Sequence, residues 1–349
     1  MGSLPPTQKA AVLKTPGRIP VFETHQVPIP AIGPAEILVK LSATGVCGTD
    51  YGLSTGGLGP TKSILGHEGV GRIARLGSTV SPDAFRVGQR VGITWIRDVC
   101  GECRMCLTAG GETRCKDQKQ SGWKVDGTFA EYTVVPMNYV ISLPEDVADE
   151  LVAPILCGGV TAYKGLKLSG VMAGQWVAVS GAGGGVGALA IMYAKAMGYR
   201  VVAIDIGESK KQHCLEAGAD HFVDAAAEDL KAAVHKITDG GANAVLVTAP
   251  SPAAYQSSIG LLANFGTLVC LGIPPPSGTM NIHPLEFIDR GIRITGSVTG
   301  SRGDILEALD FVRRGVVKPI VKTASLDDVT SILGDFASGK TLNKYVVRL

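Results

Sequence analysis

Four cysteines, Cys100, Cys103, Cys106 and Cys115, fall within sixteen residues in the segment DVCGECRMCLTAGGETRCKD. The spacing C-x2-C-x2-C-x8-C can close four thiolates into a tetrahedron around one zinc ion. Four thiolates leave no open position, so such a site is structural. An iron–sulfur cluster shares the first spacings, but its fourth cysteine usually comes after three residues and precedes a proline; here Lys116 follows Cys115. A second set is dispersed: Cys47 in GVCGTD, His67 with Glu68 in GHEGVG, and Cys157 in APILCGGVTAYKG. A Cys–His–Cys set leaves a fourth position free for a substrate oxygen, on which zinc acts as a Lewis acid. Each of these residues taken singly also reads as packing, because a buried Cys is usually a small hydrophobe. Spacing alone leaves both readings open. Asp50 and Glu68 are carboxylates that could support the set, one of them by holding the second ring nitrogen of His67.

The next chemistry-bearing stretch is WVAVSGAGGGVGALA, where Gly181, Gly183, Gly184, Gly185 and Gly187 stand between an apolar run and a helical one. The spacing is one residue longer than G-x-G-x-x-G, yet its context is that of a dinucleotide turn. Small residues there let a pyrophosphate reach the N-terminus of the following helix, with its free N–H groups and positive dipole end. Asp205 ends VVAID eighteen residues past Gly187, where a ribose-binding acid belongs. Its charge accepts from a 2′-hydroxyl and repels a 2′-phosphate. Ile206 and Gly207 bring no arginine to offset it, so NAD is preferred over NADP.

These residues need two kinds of scaffold, and the chain has room for both. Its 349 residues suggest two domains. Residues 1–150 read as short strands broken by Gly and Pro, the spacing of a small, largely antiparallel, barrel-like domain. From Gln175 on, six apolar strand-like runs alternate with helical stretches, the pattern of a doubly wound parallel sheet in an α/β fold. ILEALDFVRRG reads as one more amphipathic helix, and YVVRL as a strand returning to the first domain. Composition, 45% hydrophobic and 18% charged, is that of a folded protein. A net charge of +2 without a Lys/Arg-rich run argues against nucleic acid as a partner. No apolar stretch has the eighteen or so residues of a membrane span, and no signal-peptide layout opens the chain. A cytoplasmic, reducing location is therefore expected, in which clustered cysteines bind metal.

Taken together, GVCGTD, GHEGVG, CGECRMC, APILCGGVTAYKGL, VSGAGGGVGALA, YAKAMGYRVVAID and GSVTGSRGD resemble the zinc-dependent medium-chain alcohol dehydrogenases, in particular the tetrameric yeast and fungal branch. The resemblance implies a GroES-like catalytic zinc domain over 1–153 and 298–349, and an NAD-binding Rossmann domain over 154–297. It implies two zinc ions per chain and NAD as cofactor, an alcohol or aldehyde as substrate, and a homotetramer or homodimer. Cys47, His67 and Cys157 would bind the catalytic zinc, with Glu68 as an alternate ligand and Asp50 behind His67. Thr49 would start the proton relay and Thr161 would lie under the nicotinamide. Asp205 and Lys210 would contact the adenosine ribose, and Gly184, Gly185 and Val186 the pyrophosphate. Leu271, Ile273, Ser297 and Thr299 would hold the nicotinamide end, and Lys344 would replace a pyrophosphate-binding arginine. Trp95 falls where the family has a substrate-pocket aromatic, though a core tryptophan reads equally well. The implied reaction interconverts a primary or secondary alcohol and its carbonyl compound, with zinc polarising the substrate oxygen and hydride exchanged at nicotinamide C4.

Several positions depart from the family's pattern. Gly48 stands where a His or Arg commonly meets the pyrophosphate, and Gly52 where a histidine often ends the proton relay. Tyr51, His25 or water could serve instead. Leu58 aligns with a tryptophan that narrows the ethanol pocket, which implies a roomier pocket. Two alternatives keep the same fold: reduction of a conjugated C=C bond, and a catalytically silent zinc protein. Cys214 and Cys270 are left over as packing residues.

Overall fold

A computed structural model describes residues 4–226 and 229–349. The chain divides into two compact units, one of Met1–Cys157, Ser301–Arg313 and Val321–Leu349, the other of Gly158–Gly300 and Arg314–Ile320. These limits differ from 1–153 with 298–349 and from 154–297. Cys157 stays with the first unit, where its thiol faces Cys47. Residues 298–300 and Arg314–Ile320 fall in the second.

The second unit is built on six apolar runs: β1 (Trp176–Ser180), β2 (Arg200–Asp205), β3 (His221–Asp224), β4 (Ala242–Val247), β5 (Leu262–Cys270) and β6 (Arg293–Gly296). They form one parallel sheet in the order β3-β2-β1-β4-β5-β6. Chain order reverses on the two sides of β1, and open sheets of this kind bind ligands at the strands' carboxyl ends beside that reversal. Ala178, Val202, Val245 and Leu268 are fully enclosed or nearly so, which is why these strands read as continuous rather than alternating. Each such Val or Leu contributes about 1.5–3 kcal/mol by burial. Helix α1 (Gly185–Ala196) leaves β1 through the glycine turn, and α2 (Glu208–Glu216) follows β2. The doubly wound sheet is thus present as the alternation of runs predicts.

In the first unit, strands Thr7–Thr15 and Val21–Pro28 make an antiparallel hairpin. A seven-stranded sheet centres on Glu36–Val46, which pairs with Glu68–Leu76, Tyr132–Pro136 and the returning strand Lys344–Arg348. Its apolar side chains, Ile37, Val39, Leu41, Ile73, Val91 and Val135, form one core. The sequence reading missed Val21–Pro28, whose Thr24, His25 and Gln26 give no apolar alternation, and the two short strands Ile96–Asp98 and Lys119–Gln120. Among the described residues no single helix is long and apolar enough to cross a membrane.

The strand at Ile96–Asp98 carries a fully enclosed arginine. Arg97 donates to Ser121 Oγ at 3.1 Å, Thr133 Oγ1 at 2.9 Å, the Asp126 carbonyl at 3.2 Å and the Val134 carbonyl. Burial lowers its pKa to about 10, so it is still a cation at neutral pH. It ties three chain segments together where backbone pairing is sparse. Arg97→Leu strands several buried acceptors and should cost about 3 kcal/mol, read as a lower urea midpoint; an unchanged midpoint would show that the network is incidental.

Candidate metal centres and nucleotide site

Cys47 ends the strand Glu36–Val46 and caps the short helix Gly48–Ser54. Its own backbone N–H donates to Asp50 Oδ2 at 2.9 Å, so a capping box fixes the Cys47 turn. The other oxygen, Asp50 Oδ1, accepts from Gly66 N at 3.1 Å and faces His67 Nδ1 at 3.0 Å. Asp50 and His67 are both completely buried. Because Asp50 accepts at Nδ1, the Nε2 lone pair is left for a ligand. That Nε2, buried, has no hydrogen-bond partner among the described residues. Burial works against a proton on His67, but the Asp50 carboxylate outweighs it and raises the pKa well above the usual value.

Cys157 arrives from the far end of the unit, at the close of the turn Ala153–Leu156. Its Sγ is 4.0 Å from Cys47 Sγ. Two thiolates on one tetrahedral zinc stand about 3.8 Å apart if each bond is ~2.3 Å, so the pair fits one ion and is too far apart for a disulfide. The hydrogen bond from Cys157 holds the Cys47 thiol well below its ordinary range, aided by Lys344 and His67. One ligand atom each from Cys47, His67, Glu68 and Cys157 lies within 4.8 Å of all the others. Thr49 Oγ1 is 3.8 Å from Cys47 Sγ.

Glu68 and Lys344 form a buried ion pair beside this set, with Lys344 Nζ 2.6 Å from Glu68 Oε1 and 3.1 Å from the Val46 carbonyl. Burial raises the Glu68 pKa to about 7, opposed by Lys344. Glu68 Oε2 has no hydrogen-bond partner among the described residues. Lys344, which the resemblance places at the pyrophosphate, has its enclosed ammonium donating inward to Glu68 and the Val46 carbonyl. Gly45 was missed in the sequence, although its strand register places it opposite Glu68. A Cβ there would stand 1.9 Å from Glu68 Oε2, so only glycine leaves room for the carboxylate.

Trp95 is brought to the site: its ring meets that of His67 edge-on, centroids 5.3 Å apart, and stacks on Trp123 at 6.2 Å. Of the relay substitutes, Tyr51 and His25 make their hydrogen bonds elsewhere. The Tyr51 hydroxyl donates to the Arg18 carbonyl, and His25 pairs with Glu23 on the hairpin. At Gly48 an added Cβ would make only an ordinary contact with Phe336, and at Gly52 with Leu58 Cδ1 at 3.8 Å.

The four-cysteine loop brings its thiols together as the spacing predicts. Cys100 and Cys115 are 3.6 Å apart, Cys103 and Cys106 3.6 Å, and Cys100 and Cys106 3.9 Å, again the edges of a zinc tetrahedron. Glu112 of this loop accepts the Arg302 backbone N–H at 2.9 Å, and the Arg302 guanidinium lies over Tyr139.

In the second unit the glycine turn is a cradle that side chains would fill. A Cβ on Gly187 would stand 2.2 Å from the Gly181 carbonyl oxygen, and one on Gly183 2.9 Å from the Lys210 side chain. Thr248, at the end of β4, donates to the Ser180 and Gly181 carbonyls and steadies the turn. Gly184 caps α1, with Gly185 and Val186 in its first turn. Asp205 accepts from Gly183 N at 2.8 Å, and Lys210 Nζ lies 3.2 Å from its Oδ1. Leu271 follows β5, and Ser297 joins it through the bond to Cys270. Ile273 is largely exposed, and Thr299 is buried with a left-handed φ of 42°. Thr161 lies half-buried in the first turn of the helix Gly158–Ser169.

Three substitutions test these sites. Cys103→Ser should reduce zinc from two ions per chain to one and lower the melting midpoint, whereas Cys47→Ser should lose the other ion with a smaller change in melting; a Cys103→Ser midpoint equal to wild type would remove the structural assignment. Gly187→Ala should weaken NADH binding about tenfold or more in a fluorescence titration, with both zinc ions retained.

Comparison with known proteins agrees with this geometry. Residues 33–145 match the alcohol dehydrogenase GroES-like domain, and residues 185–314 match the zinc-binding dehydrogenase family. The alcohol dehydrogenase of Geobacillus stearothermophilus is 40% identical over 332 residues, covering 94% of this chain and 96% of that protein. Alcohol dehydrogenase 1 of Emericella nidulans is 40% identical over 353 residues, 99% of each chain. Among solved structures, the acetophenone reductase of Geotrichum candidum, in complex with NAD, superposes with a TM-score of 0.86 at 27% identity, over 100% of this chain and 99% of that one. With likeness along its whole length and two thiol clusters of zinc dimensions, the chain belongs to the zinc-dependent medium-chain alcohol dehydrogenase family.

Proposed function

We propose that the chain interconverts a primary or secondary alcohol and its aldehyde or ketone with NAD, in the balance alcohol + NAD⁺ → carbonyl + NADH + H⁺. The observation that carries this reading is His67, held at Nδ1 by Asp50 while its buried Nε2 lacks a partner beside two thiols 4.0 Å apart. When bound, zinc supplies Lewis acidity toward the substrate oxygen, and the nicotinamide accepts or gives the hydride. Asp50 keeps His67 in the ligating tautomer, and Cys47 and Cys157 supply two negative charges to the ion. Thr49 Oγ1 takes the substrate's hydroxyl proton and passes it onward without an imidazole at position 52. Cys100, Cys103, Cys106 and Cys115 hold the structural zinc.

Asp205 and Lys210 hold the adenosine ribose, Gly181, Gly183, Gly184, Gly185, Val186 and Gly187 receive the pyrophosphate, and Thr161, Leu271, Ser297 and Thr299 serve the nicotinamide end. The Asp205 carboxylate is the ground for NAD over NADP. A pocket roomier than ethanol needs is supported by Leu58, which stands where the resemblance places a pocket-narrowing tryptophan. A homotetramer, carried by the resemblance alone, completes the proposal.

A panel of alcohols of rising size, followed by NADH absorbance, tests the reading. Alcohols larger than ethanol should give the higher kcat/KM, and Leu58→Trp should shift preference back toward ethanol. Thr49→Val should lower kcat by about 10²–10⁴-fold with zinc content unchanged. A fully zinc-loaded chain that produces no NADH from any alcohol in the panel, and oxidises none with any carbonyl, would end the proposal.

A further inference from the structure

A second carboxylate stands beside the one assigned to the ribose. At the carboxyl ends of β2 and β3, Asp205 is in register with Asp224. Both therefore sit at the end of the sheet where folds of this kind take ligands. Asp224 is engaged with backbone: its Oδ2 accepts from Gly207 N at 3.1 Å and its Oδ1 from Ala226 N at 2.9 Å. Gly207 has φ 92° and ψ 155°, a conformation open essentially to glycine alone. Nothing lies within 4 Å of a Cβ built there, so backbone conformation rather than crowding calls for the glycine.

The turn leaving β2 is thus clamped from two sides. Asp205 Oδ1 takes the Ile206 N–H at 2.9 Å, and Asp224 takes the next N–H along. Directly after this clamp α2 begins, and its first turn carries Lys210 back to Asp205 at 3.2 Å. Wherever the 206–207 turn goes, the origin of α2 and Lys210 go with it.

We infer that Asp224 is a specificity-determining positioning residue of the nucleotide site, favouring a ribose with a free 2′-hydroxyl over one carrying a 2′-phosphate. It acts in two ways. Its hydrogen bond fixes Gly207, which keeps Lys210 on Asp205 and away from an added phosphate. Its charge adds to that of Asp205 at the same end of the sheet, and repulsion of a phosphate dianion grows with each carboxylate. The inference rests on the proposed use of NAD and extends it to a residue that need not touch the nucleotide.

The test uses the zinc-loaded full chain and measures dissociation constants of NADH and NADPH, without substrate, by fluorescence titration. Wild type should bind NADH more tightly. Asp224→Asn, nearly isosteric, should reduce the NADPH/NADH ratio of dissociation constants about three- to tenfold, mainly by tightening NADPH. Gly207→Ala, which disturbs the same turn and leaves the charge, should shift the ratio in the same direction. If wild type discriminates but Asp224→Asn leaves the ratio unchanged, or weakens both nucleotides equally, the inference is overturned and the NAD reading stands. If wild type binds both nucleotides equally, the NAD reading itself fails.

Discussion

One buried carboxylate organises the catalytic side of this protein. Asp50 accepts the backbone N–H groups of Cys47 and Gly66 and faces the ring of His67, so a single side chain aligns two segments twenty residues apart. Hydrogen bonds to a charged group are worth about 1.5–3 kcal/mol each, and at zero exposure none of them competes with water. The carboxylate also decides the chemistry of its neighbour. With Nδ1 taken, the imidazole can present only Nε2 to an ion, and the ring cannot turn without breaking that bond.

Around this point the protein balances charge instead of excluding it. Glu68 and Lys344 are packed as an ion pair beside two thiols, and removing either partner would leave an uncompensated buried charge, a far larger cost than the pair's net gain. Lysine suits this place for a physical reason. Its compact ammonium can donate to Glu68 Oε1 and the Val46 carbonyl from one point, where a planar guanidinium would present a wide fork. Glu68 keeps one oxygen bare only because the strand opposite carries no side chain at Gly45.

Much of this was legible in the sequence, and the parts that were not have a common cause. The central strands of the nucleotide unit announce themselves because strands buried on both faces are continuously apolar, whereas the edge strands His221–Asp224 and Arg293–Gly296 are only partly buried. The four-cysteine loop is legible because its ligands are close in sequence. The dispersed site is less so, since Cys47, His67 and Cys157 acquire meaning only when the sheet brings them together; their spacing left a packing reading open, and the resemblance decided between the two. The pairing of Lys344 with Glu68 left no mark in the sequence, because position along the chain says nothing of the direction in which a side chain points. Gly45, Thr248 and Asp224 act through backbone and register, which leave no pattern in residue type, and the strand Val21–Pro28 has too mixed a face to show periodicity.

The ion pair between Glu68 and Lys344 spans 276 residues of chain, and this has a consequence for how the protein is born. At roughly 5–20 residues per second, the carboxylate emerges tens of seconds before the ammonium that neutralises it. Throughout that interval a nascent Cys47–His67–Glu68 segment carries its ligands without their counter-ion and without the strand that closes over them. The buried carboxylate therefore gains its counter-charge only when the strand Lys344–Arg348 has joined the sheet.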